Sequence, residues 1–99
     1  DTKKFLDIRQ IYFLYNHKKN MKYKLQFLYD TQYLVDNKII NEYEEVIKTA
    51  NICLNIAIKY SLVKKEKLIS NMIIQLKKMY SIEYFILEYL IEKFNKRRF

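Results

Sequence analysis

Residues 41–60 read NEYEEVIKTANICLNIAIKY, and their apolar positions return every three or four residues. Tyr43, Val46, Ile47, Ala50, Cys53, Leu54, Ala57 and Ile58 fall on one stripe of a helix with 3.6 residues per turn. Asn41, followed three residues later by Glu44, has the spacing of a capping box, and Glu42 and Glu45 add negative charge where the helix dipole is positive. The spacing predicts an amphipathic helix opening at Asn41.

The rest of the chain agrees with a helical reading. Its 99 residues contain no glycine and no proline, so the residues that usually supply tight hairpins and phosphate-cradling loops are missing. Upstream, a helix is expected from Thr2 to Tyr15 on Phe5, Ile8, Tyr12 and Tyr15. Asn16–Asn20 is expected to interrupt it, and the lysines of YNHKKNMKYK (residues 15–24) are expected to face water. A second helix then runs from Met21 to Val35 on Met21, Leu25, Leu28 and Val35, stopping at Asp36 and Asn37.

Downstream, Ser61 is read as the cap of a helix carrying Leu68, Ile69, Met72, Ile73, Leu76, Met79 and Tyr80 inward. Ser81 is read as the cap of a further one carrying Ile82, Phe85, Ile86, Tyr89 and Leu90, although a continuous helix from Lys65 to Lys96 is equally allowed. The expectation is an all-α fold, a single compact bundle of four or five helices over residues 1–99. A chain of this length buries a core without disulfides or metal. Because it opens on Asp1, it is expected to be cut from a longer protein.

Catalysis finds no support. His17 and Cys53 are the only residues of their kinds, His17 lies in a lysine-rich polar segment and Cys53 on an apolar stripe, so no nucleophile pairs with a base. No cluster has metal-ligand spacing, and Glu42, Glu44 and Glu45 are accounted for by capping. The expectation is a non-enzyme with no cofactor and no metal. A lone cysteine makes no internal disulfide, which favours an intracellular, reducing compartment. The longest uncharged run, Thr49–Ile58, is short of the roughly twenty residues of a membrane span, so no membrane partner is expected.

Two surfaces are candidates for binding. The net charge is +8, with lysine outnumbering arginine 16 to 3, in a composition typical of an AT-rich genome. The positive charge concentrates in residues 1–35 and 61–80. Lys64, Lys67, Asn71, Ile74 and Lys78 share one helix face, as the recognition helix of a helix-turn-helix would present them to DNA. Against that, the turn lacks glycine and no arginine is placed to read guanine. The second surface is apolar. Ile52 and Ile56 lie opposite the core stripe of their helix, and Tyr84, Leu87 and Ile91 form a second stripe beside the first, as expected for helices wrapped on two sides by the bundle or by a partner protein. The tail FNKRRF suits a helix C-terminus and also has the composition of a nuclear-targeting patch.

FLYDTQYLVDN (27–37) followed by EYEEVIKTANICL (42–54) resembles the ACDC domain, a helical module at the C-terminus of malaria-parasite transcription factors of the Apetala type. The resemblance covers residues 25–60 and rests on apolar spacing with Asp30 and Tyr43. It implies a compact four-helix bundle, a nuclear setting and a role in protein interaction, with DNA reading left to other domains. It implies no catalytic or ligand residues. The expected function is a non-catalytic protein-interaction module of a larger transcriptional regulator. The alternatives are nucleic-acid binding through Lys64, Lys67, Asn71 and Lys78, or a small microbial inhibitor or immunity-type bundle.

Overall fold

The computed structural model describes residues 8–31 and 37–97, and within them the chain forms three α-helices, α1 (Ile8–Asp30), α2 (Lys38–Val63) and α3 (Glu66–Arg97). The all-helical class is as expected, and the count of four or five is corrected to three among the described residues. Phe5, Val35, Asp36 and the side chains of the basic tail lie outside them.

The first break was expected at Asn16–Asn20 and the second from Ser81 as a cap, with a continuous helix equally allowed there; at both the helix runs on. In α1 the inward positions are Ile11, Leu14, Lys18, Met21, Leu25 and Leu28, stepping by three and four straight through Asn16–Asn20. Lys18 occupies a core position, 5 % exposed, and does not face water as expected. In α3 the inward positions Met72, Leu76, Met79, Glu83, Ile86 and Leu90 likewise pass through Tyr80 and Ser81. Here the irregular residue is Glu83.

These two residues are partners. Lys18 Nζ donates to both carboxylate oxygens of Glu83 at 2.9 Å, and the Tyr43 hydroxyl donates to Glu83 Oε2 at 2.7 Å. One polar layer therefore joins α1, α2 and α3. Burial, and then the Glu83 carboxylate, raise the Tyr43 phenol well above its usual range, so it stays a donor. Lys22 adds an ion pair to Glu44 between α1 and α2.

On either side of this layer the core is apolar. Leu25 packs with Ile39, Ile40, Tyr43, Val46 and Ala50 of α2 and Met79, Ile86 and Leu90 of α3. Ile11 packs with Cys53, Ile56, Ala57 and Tyr60 of α2 and Ile69 and Met72 of α3. The direction is thus up, down, up, with α2 antiparallel to both neighbours, in a rod of 53 × 19 × 19 Å. α1 and α3 each pack mainly on α2 and touch one another little.

The helix ends also depart from the expected signals. Burial of Ile39 and Ile40 draws α2 back a turn, so it opens after Asn37, whose carbonyl accepts the Ile40 and Asn41 amides. Asn41 is therefore inside the helix, and Glu44 pairs with Lys22 instead of closing a capping box. Ser61 caps nothing; its hydroxyl bonds the Ile58 carbonyl within α2. The α2–α3 corner needs a left-handed residue, and without glycine Lys64 supplies it at φ 56°, its amide donating to the Tyr60 carbonyl at 2.8 Å.

Removing one member of a buried ion pair strands the other charge, whereas replacing both by apolar residues of similar size is often neutral. Lys18→Met or Glu83→Leu alone is expected to cost about 3–5 kcal/mol in urea unfolding, and the triple variant with Tyr43→Phe, which leaves no polar group of the layer stranded, to lie within about 1 kcal/mol of the parent.

Candidate functional site

No group of three or more histidine, cysteine or acidic side chains is assembled for a metal among the described residues. His17 is exposed. Cys53 is wholly buried, and burial pushes its thiol up to about 11, which leaves it protonated at neutral pH. α2 is long and apolar enough to cross a membrane by length and composition. In the bundle that apolarity serves its central position between α1 and α3.

Of the residues singled out for partner binding, Ile56 is core, 7 % exposed beside Cys53 and Tyr60, and is removed from the surface. Ile52 is exposed on α2. Tyr84, Leu87 and Ile91 are exposed on α3, and the continuity of that helix extends their stripe upstream to Tyr80 and Ile73. The five side chains are 37 to 61 % exposed and lie within a narrow sector of the helix surface. The stripe borders α1, as the Lys18 ammonium 5.8 Å from the centre of the Tyr80 ring shows. Ile52 belongs to another helix.

Two contacts lie at the middle of the stripe. The Tyr84 hydroxyl is hydrogen-bonded to the Glu88 carboxylate one turn on, which raises the phenol's pKa, and its ring meets Phe85 edge to face at 6.4 Å. Ile73 and Tyr80 were assigned to the core from the sequence; what betrays them is their spacing to Tyr84, Leu87 and Ile91, which counts only if α3 has no break at Ser81.

The basic residues gather differently from the expected face. Lys67 and Asn71 line a shallow depression of about 360 Å³ at the α2–α3 corner, together with Lys59, Val63, Lys65 and Leu68. Lys64 turns to the Tyr60 ring, its ammonium 5.4 Å from the centroid. Lys78 lies two turns further along α3. Lys59 and Lys65 were missed because they straddle a corner that no single helical projection spans.

A maleimide or aromatic disulfide reagent should leave Cys53 unlabelled in the native protein and label it fully in urea; rapid native labelling would mean that the core around it opens. Comparison of the chain with protein-family models, curated proteins and solved structures finds no match in any of the three.

Proposed function

We propose that this bundle is a non-catalytic protein-interaction module that docks a partner on the α3 stripe of Ile73, Tyr80, Tyr84, Leu87 and Ile91. The observation that carries this is the exposure of five large apolar side chains in one line, on a helix whose adjoining flank already supplies a core. Scattered apolar residues on a surface are ordinary, but a contiguous strip of this size marks an interaction surface. The setting proposed with it, a larger nuclear regulator of transcription, rests on the resemblance in residues 25–60.

Leu87→Asp with Ile91→Asp should leave the helical circular dichroism and the melting temperature nearly unchanged. A photo-crosslinker at Tyr84 should lose its protein adduct in that background, and one at exposed Asn55 on α2 should form none. Ile56→Asp, which buries a charge in the core, should unfold the domain. Were the α3 substitutions to unfold it too, the stripe would be core and the proposal would fail.

A second reading is favoured by the lysines around the corner depression. Lys59, Lys65 and Lys67 with Asn71 make a concave basic surface suited to a nucleic-acid backbone. It predicts duplex binding that falls steeply with salt as counterions are released, with a shallower slope after Lys65→Ala and Lys67→Ala. No binding at low salt would eliminate it.

A further inference from the structure

Positions 73, 77, 80, 84, 87 and 91 of α3 step alternately by four and three, the spacing of a heptad seam, and carry Ile, Lys, Tyr, Tyr, Leu and Ile. The seam is separate from the flank that packs inside the bundle. Its sequence is nearly a palindrome about residue 82. Laid antiparallel against a second α3, Ile73 meets Ile91 of the second copy, Tyr80 meets Tyr84, and Lys77 meets Leu87 with Glu88 beside it. By symmetry every layer forms twice. A parallel alignment would instead set Lys77 against Lys77 and Glu88 against Glu88, like charges on like.

From these observations, and resting on the reading of the stripe as a docking surface, we infer that the occupant of the α3 stripe is a second copy of this chain, paired antiparallel about a two-fold axis near residue 82. An isologous contact requires a self-complementary patch, and this one is self-complementary in size, aromaticity and charge. The area suffices. A specific interface needs on the order of 1,000 Å² in total, and ten large, substantially exposed side chains, four of them tyrosines, reach that scale. The stripe is also accessible, its five side chains being 37 to 61 % exposed. Ile73 to Ile91 spans about 27 Å of helix, within the rod's length.

Sedimentation equilibrium of the full chain tests the pairing, with circular dichroism on each variant to establish that it is folded. The parent should be dimeric at high micromolar concentration. Leu87→Glu should weaken self-association by roughly 100-fold or more, since one substitution acts twice across a two-fold axis. Lys77→Glu and Glu88→Lys should each weaken it, and the two together should restore it. Register is read by a short bis-maleimide. Ser81→Cys lies next to the axis and should cross-link to its copy, whereas Ser70→Cys lies about 36 Å from its counterpart and should not. Equal cross-linking of both would mean a parallel pair and overturn the arrangement. So would a dimer that survives Leu87→Glu. A parent chain that stays monomeric at high micromolar concentration overturns self-pairing, while the docking role of the stripe is then decided by the Tyr84 photo-crosslink.

Discussion

The layer formed by Lys18, Tyr43 and Glu83 sets the relation among the three helices. Apolar packing around α2 is permissive, because Ile, Leu and Met side chains tolerate sliding and rotation of one helix on another at modest cost. An ammonium with both carboxylate oxygens at 2.9 Å and a phenol at 2.7 Å does not tolerate it. A slip by one turn would strand two charges where water cannot reach them. The layer is thus a registration device. It also holds α1 and α3, whose backbones seldom approach one another, in a defined relation beside a shared neighbour.

That relation decides what is left outside. α2 carries apolar residues around most of its circumference and is covered from two sides, whereas α3 covers it with one flank and shows a second apolar flank beside α1. The surface is not uniform in character. One long face of α3 is apolar and aromatic, and the α2–α3 corner is cationic. The one thiol is sealed in the core and the one imidazole is exposed.

Much of the fold was legible in the sequence. Periodicity identified α2 and most of its core, and the lack of glycine and proline pointed to helices alone. Segment ends were harder, because a two-residue corner at Lys64 and Lys65 bears none of the usual punctuation. The break expected at Asn16–Asn20 and the cap read at Ser81, where a continuous helix was equally allowed, each lie beside a charged inward residue. A charged residue at an inward position looks, on its own helix, like the end of a stripe, and only its distant partner shows that it belongs to the core. Lys18 and Glu83 are 65 positions apart, beyond the reach of any local pattern. Of the surface, Tyr84, Leu87 and Ile91 were legible from spacing alone. Ile73 and Tyr80 were hidden by the assumed break, and Ile56 was misplaced because α2 is buried over a wider arc than one stripe.

The sharing of α2 by two neighbours that barely touch has a kinetic consequence. Two helical hairpins, α1–α2 and α2–α3, hold most of the contacts, and each closes over a short or moderate loop, so the topology is one of low contact order and rapid folding. The direct polar closure between α1 and α3 lies in the layer of Lys18 and Glu83. Native-state fluctuation is then a peeling of α1 or of α3 from a persistent hairpin, and amide exchange should be slowest along α2, the only helix that every partially folded form retains.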